Sequence, residues 1–221
     1  MIKVRLVCID FDGTIVDSFN VDTVSLIEAF KRYGVKVGID EVREIYGGKD
    51  IDVVRKILLD RGIDLDAEKI VNLKTKIFID RLDEVMLLPY AKSFLKKLYM
   101  RNILLTIVTT SMRKVVEKIL EEKGLRKYVN MIIAAEDVEE HKPSPKPILK
   151  ALKIFGFDKD NAIMIGDSVY DALSALRAGI KFYGILTGVN SREELYRYGA
   201  LKVYRDLREL YNELFLGDVL E

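Results

Sequence analysis

The stretch Val4-Arg5-Leu6-Val7-Cys8-Ile9-Asp10-Phe11-Asp12-Gly13-Thr14 decides how this chain is read. From Val4 to Asp10 it is a short, nearly continuous apolar run that ends in an acid, the pattern of a strand buried on both faces of a parallel sheet. Similar runs recur at Ile103 to Val108, Met131 to Ala135, Ala162 to Ile165 and Phe182 to Leu186. Between them lie amphipathic segments of helical length, with Gly124, Gly156 and Gly179 near their ends. Strand and helix in alternation predict an α/β fold: an open, Rossmann-like parallel sheet with helices on both faces.

The alternation is broken once. From Asp17 to Leu88 several helical patterns follow one another (Asp22 to Tyr33, Asp40 to Tyr46, Asp50 to Arg61, Asp66 to Met86) with no strand between them. Glycines 34, 38, 47, 48 and 62 supply turns, and Pro89 marks the return to the sheet. The expected organisation is therefore a core of residues 1–15 and 89–221 and an inserted α-helical cap domain of residues 16–88. The length, 221 residues, suits one core with a smaller insert.

Bulk properties exclude several classes of function. Lys plus Arg (36) nearly cancels Asp plus Glu (35), which gives no electrostatic footprint for a nucleic-acid partner or an anionic membrane. No apolar run reaches the roughly 20 residues of a bilayer span and no signal-peptide pattern opens the chain, so a cytoplasmic location is expected. The one cysteine, Cys8, lies within an apolar run and reads as core packing, since it has no partner for a disulfide or a cysteine metal cage. Monomer and homodimer stay equally open.

In an open α/β sheet, ligands bind beyond the carboxyl ends of the strands. Those ends carry Asp10 and Asp12 with Gly13 and Thr14; then Thr109, Thr110 and Ser111; then His141, Lys142 and Pro143; then Gly166, Asp167 and Ser168, followed by Asp171. Acids, hydroxyls and a lysine thus converge on one edge. Asp10, Asp12 and Asp167 offer the hard oxygen ligands that Mg²⁺ prefers. A carboxylate attacking a phosphate faces like-charge repulsion, about 4 kcal/mol for unit charges 4 Å apart at an effective dielectric near 20, which a cation and Lys142 would offset. Singly, each acid is more readily read as a helix cap; the convergence of all four strand ends favours chemistry.

Asp10-Phe11-Asp12-Gly13-Thr14 resembles the first motif of the haloacid dehalogenase superfamily, and the other three follow in order: Thr109 in the second, Lys142 within Lys-Pro-x-Pro in the third, and Gly166-Asp167-Ser168-x-x-Asp171 in the fourth. A helical insert after the first strand is similar to that of the phosphoglycolate phosphatase-like and β-phosphoglucomutase-like members. The resemblance implies a Mg²⁺-dependent phosphatase acting on a small phosphorylated metabolite, phosphoglycolate-like or a sugar phosphate, through an aspartyl-phosphate intermediate. In that scheme Asp10 is the nucleophile and Asp12 the general acid and base. Mg²⁺ is held by the Asp10 and Asp167 carboxylates and the Asp12 carbonyl. Thr109 and Lys142 bind the phosphoryl group, and Asp171 supports Lys142 or a metal-bound water. Thr110 stands where asparagine is common in the family, so Thr109 and Thr110 both remain candidates for the phosphate-binding hydroxyl. Asp12 disfavours dehalogenation, because the dehalogenases of the family do not carry this second aspartate.

Tyr46-Gly47-Gly48-Lys49-Asp50 joins two helices of the insert. By the same resemblance, Gly48 and Lys49 are candidate substrate contacts, with a plain interhelical turn as the equal alternative. The rivals to hydrolysis are a sugar phosphomutase of the same architecture and a phospho-ligand-binding protein without turnover.

Overall fold

The structure, a computed structural model, describes residues 4–45 and 49–216. In chain order, β1 (Leu6–Ile9) and the two-residue β2 (Val16–Asp17) precede four helices: α1 (Phe19–Arg32), α2 (Ile39–Glu44), α3 (Asp50–Asp60) and α4 (Ala67–Ile79). A 3-10 turn leads to β3 (Met86–Leu87), which pairs with β2. Helix and strand then alternate through α5 (Ala91–Met100), β4 (Leu104–Val108), α6 (Arg113–Glu122), β5 (Met131–Ile133), α7 (Lys146–Phe155) and β6 (Ala162–Gly166). The chain closes with α8 (Val169–Ala178), β7 (Lys181–Ile185), α9 (Arg192–Arg197), β8 (Ala200–Tyr204) and α10 (Leu207–Leu216). Two compact units result, Met1–Asp17 with Leu87–Glu221, and Ser18–Met86. Among the described residues no helix is long and apolar enough to cross a membrane.

The first unit is the α/β fold that the apolar runs predict. Its sheet has six strands in the order β5-β4-β1-β6-β7-β8, and every pairing is parallel. Side chains alternate across a strand. Leu6 and Cys8 pack with Met164 and Phe182 against Ile148 and Ala151 of α7 and Ala172 and Ala175 of α8. Val7 and Ile9, on the opposite face, are just as buried, so both sides of β1 are covered. Cys8 is fully buried, and burial pushes its thiol up to about 12, which suits inert packing. The register sets Ile9 level with Ile107 of β4 and Ile165 of β6. As β1 is central and the chain returns from β5 to β6 on its other side, the topological switch falls at the carboxyl end of β1.

Two features depart from the sequence pattern. β8 has no counterpart among the apolar runs: Leu201 and Lys202 are exposed, and its pairing with β7 shifts register between Phe182 and Tyr183. An edge strand packed on only part of its length leaves no continuous apolar signature. The last helix of the insert starts as expected, with the Asp66 carboxylate accepting from the Glu68 and Lys69 amides, but ends at Ile79 and not near Met86. The remainder is the 3-10 turn Leu82–Glu84 and β3, the latter too short to show any period.

The second unit has its own apolar core, in which Phe30 of α1, Val54 and Ile57 of α3, and Ile70 and Ile77 of α4 are buried together. Lys74 of α4 is buried among them and ion-paired with Asp22 of α1 and, at 2.8 Å, with Asp50 at the start of α3. Burial opposes the charge of Lys74, but the two carboxylates outweigh it and hold the ammonium above its ordinary range. This cluster ties three helices together, and removing its cation leaves two acids facing each other. Lys74→Met is expected to cost about 3 kcal/mol in urea-induced unfolding; a change under about 1 kcal/mol, the usual worth of an exposed pair, would show that the cluster is a surface interaction.

Candidate functional site

The loop after β1 is shaped by its own backbone. The Phe11 carbonyl accepts from the Ile15 amide at 2.8 Å and the Val16 amide at 3.1 Å, and the Gly13 amide donates to the Val16 carbonyl at 2.8 Å. Gly13 lies at φ +76, in the left-handed region where glycine carries no Cβ penalty. The Asp10 amide donates to the Ile165 carbonyl at 2.9 Å and so fixes Asp10 beside β6. The turn sends Asp12 elsewhere: its Oδ2 accepts from the Ser111 hydroxyl at 2.5 Å. Ser111 in turn donates its amide to Thr109 Oγ1 at 3.0 Å, and the Thr109 amide donates to the Ile133 carbonyl at 3.0 Å. Thr109 is buried and held from both sides, whereas Thr110 is half-buried.

Lys142, in the loop before α7, brings its ammonium to 2.6 Å from Asp10 Oδ1 and 2.7 Å from Asp171 Oδ1, with its side chain only 4% exposed. Asp171 also belongs to the start of α8. Ser168 is the N-cap, its hydroxyl accepting from the Asp171 amide, while Asp171 Oδ2 accepts from the Ser168 hydroxyl at 2.6 Å and amide at 3.2 Å. Both capping and lysine anchoring therefore rest on one carboxylate. Asp167, one residue before the cap, accepts from the Thr14 hydroxyl at 2.7 Å through Oδ1.

One carboxylate oxygen from each of Asp10, Asp167 and Asp171 lies within 4.8 Å of the others, and all three residues are buried. At that separation two unit charges repel by about 3.5 kcal/mol at an effective dielectric near 20. The cluster contains one ammonium for three acids, and the charges respond accordingly. Burial, then Asp171, raise Asp10 well above the ordinary carboxylate range, with Lys142 opposing. Burial, then Asp171, push Asp167 up to about 7 against the pull of Thr14 and Lys142. Burial works against the ammonium of Lys142, but Asp10 and Asp171 keep it charged. Surplus buried negative charge on hard oxygen donors is the environment that a divalent cation satisfies. Asp171 already receives donors on both oxygens, which leaves Asp10 and Asp167 as the carboxylates best suited to hold the ion.

The structure thus gathers Asp10, Asp167, Lys142 and Asp171 at one point and sets Asp12 beside them through Ser111. The Asp12 carboxylate is not part of the acidic group, so in the expected set of Asp10, Asp12 and Asp167 only its main chain is left to serve as a ligand. Of the expected substrate contacts in the insert, Lys49 belongs to the second unit, as the residue before α3, and Tyr46, Gly47 and Gly48 lie outside the described residues. Thr14 and Ser111, named among the strand-end residues without a role, prove to be the hydroxyls that bond Asp167 and Asp12.

The model of the haloacid dehalogenase-like hydrolase family matches residues 7–185. Pyrophosphatase PpaX of Oceanobacillus iheyensis is 26% identical over 209 residues, covering 94% of this chain and 95% of that protein. Phosphoglycolate phosphatase of Aquifex aeolicus is 29% identical over 180 residues, covering 80% of this chain and 82% of its own. A solved hydrolase from Pseudomonas syringae superposes with a TM-score of 0.83 at 26% identity, over 98% of this chain and all of that one. With the match running through the sheet from β1 as far as β7, the chain belongs to the haloacid dehalogenase-like hydrolase family.

Proposed function

We propose that the chain is a Mg²⁺-dependent phosphatase that hydrolyses a small phosphate monoester through an aspartyl-phosphate on Asp10. The observation that carries this reading is the Asp10 carboxylate, fixed 2.6 Å from Lys142 in a buried cluster of three acids and one ammonium. The Asp10 and Asp167 carboxylates and the Asp12 carbonyl would hold Mg²⁺, which would supply positive charge against the clustered acids and the incoming phosphate. Lys142 has three N–H bonds, two of them directed at Asp10 and Asp171, and the third is available to a phosphoryl oxygen. Thr109 accepts the Ser111 amide through Oγ1, so its own hydroxyl proton is available to a second phosphoryl oxygen, which favours Thr109 over Thr110.

Asp10 attacks phosphorus as the bond to the leaving oxygen breaks, and Asp12 gives that oxygen a proton. Asp12 then takes a proton from the water that attacks the aspartyl-phosphate, which releases inorganic phosphate and restores Asp10. The Ser111 hydroxyl holds the Asp12 carboxylate in place across both steps. The helical unit is assigned the role of a cap that excludes water during transfer. Phosphoglycolate leads the candidate substrates, on the strength of the Aquifex aeolicus relative named for that activity.

A panel of phosphate monoesters with Mg²⁺, with pyrophosphate included, is expected to give phosphate release from at least one small monoester, and Asp10→Asn to lower the rate about a thousandfold or more. Conversion of a sugar phosphate to its isomer without phosphate release would replace this reading with a mutase. Ser111→Ala is expected to lower kcat about tenfold with little change in KM, since it frees the acid and base group without touching phosphate; an unchanged kcat would remove Ser111 from the mechanism.

The acidic cluster also sets a pH dependence. A carboxyl raised from near 3.8 to about 7 binds more protons folded than unfolded between those values, so in metal-free protein its contribution to stability falls as pH rises through that window. Cation binding requires the deprotonated form and gains over the same window. The rise in melting temperature caused by Mg²⁺ is therefore expected to be larger at pH 8 than at pH 5, and Asp167→Asn to abolish the difference; equal rises at both values in the unsubstituted protein would contradict this.

A further inference from the structure

The loop of residues 186–190, after β7, has no part in the steps above, yet Gly188 within it leaves no room for a side chain beside Asp167. A Cβ built on Gly188 would lie 1.8 Å from Oδ2, 2.7 Å from Cγ and 2.9 Å from Cβ of Asp167, far inside contact distance. Gly188 does not have a left-handed backbone and is exposed, so neither torsion nor core packing calls for glycine there. What requires it is the space taken by the carboxylate. From the other side, a Cβ on Gly13 would meet Asp167 Oδ2 at 2.5 Å. The Asp167 carboxylate thus sits in a slot between two glycines, with Thr14 on its Oδ1.

The slot is closed by two further bonds from the same loop. The Thr187 hydroxyl donates to the Gly13 carbonyl at 2.5 Å and joins the two glycine walls directly. The Asn190 side-chain oxygen accepts from the Val169 amide at 3.1 Å and joins the loop to the first turn of α8, two residues beyond Asp167. We infer that residues 187–190 are a positioning element for the Asp167 carboxylate, with Gly188 and Thr187 setting its orientation toward the divalent ion. The inference rests on the proposed role of Asp167 as a metal ligand. Neighbouring groups that fix a ligating carboxylate contribute about 10- to 100-fold to metal affinity when they are substituted.

The test measures Mg²⁺ binding to the full chain by titration calorimetry without substrate, beside the melting temperature of metal-free protein and the Mg²⁺ dependence of kcat. Gly188→Ala is expected to weaken Mg²⁺ binding about tenfold or more, with kcat largely recovered at saturating Mg²⁺. Thr187→Val keeps the shape and removes only the bond to Gly13, and should weaken binding several-fold; it decides the matter if Gly188→Ala fails to fold. Gly38→Ala, in the second unit and with open space around its Cβ, is the control for an added methyl group. Unchanged Mg²⁺ affinity in folded Gly188→Ala and Thr187→Val, with only a lower metal-free melting temperature, would assign the loop to stability alone and overturn the inference while leaving the phosphatase reading intact. Failure of the unsubstituted protein to bind Mg²⁺ would overturn the parent reading, and this inference with it.

Discussion

Three buried carboxylates share one buried ammonium at the carboxyl end of the sheet, and the remaining features of the site follow from that imbalance. Asp171 is fully buried, Lys142 is 4% exposed at its side chain and Asp10 11%, so water screens little of the charge. Left alone, the cluster keeps Lys142 charged and raises the carboxyl groups of Asp10 and Asp167, the opposite of what a nucleophile needs. In the proposed reading such a site receives positive charge and, through it, phosphate. The second unit offers a contrast: Lys74 is also buried between two acids, but Asp22 and Asp50 are 20% and 36% exposed at their side chains, so solvent relieves the excess and no ion is called for.

The fold produces this imbalance with ordinary devices. A parallel register sets Ile9 level with Ile165, so that Asp10 and Asp167 follow the carboxyl ends of adjacent strands. A capping box at the start of α8 fixes Asp171 in place, and the same carboxylate then anchors Lys142 from a loop about thirty residues earlier in the chain. A left-handed glycine turns the chain after Asp10, so that Asp12 faces Ser111 and is spared from the crowded cluster. Asp171 thereby completes a helix cap as well as anchoring Lys142, which is why, taken alone, it has a sufficient structural explanation.

Much of this was legible in the residues. β1 reads as a buried strand because Leu6 to Ile9 are apolar on both faces, and the positions of Asp10, Thr109, Lys142 and Asp167 follow from the rule that strand ends face the ligand. What was hidden has physical causes. β8 alternates too poorly to be seen because an edge strand buries only part of its surface. The stop of α4 at Ile79 has no glycine or proline to announce it. Gly188 is invisible because its reason is a side chain twenty-one residues away in sequence that occupies its Cβ position, a contact that no local pattern encodes. The support of Lys142 by Asp171 was implied by the family resemblance, but the surplus of acids over ammonium in one buried cluster is seen only when the three carboxylates are brought together.

The central claim is that the acidic crevice is completed by a divalent ion between Asp10 and Asp167. Crystals of the protein grown with Mn²⁺ in place of Mg²⁺, with data collected near the manganese absorption edge, test it most directly. The account predicts a single strong anomalous peak in the core unit, in contact with the carboxylates of both residues and separate from Lys142. A well-ordered site with no peak there, or a peak seated only on Asp171 or on surface acids, would contradict it.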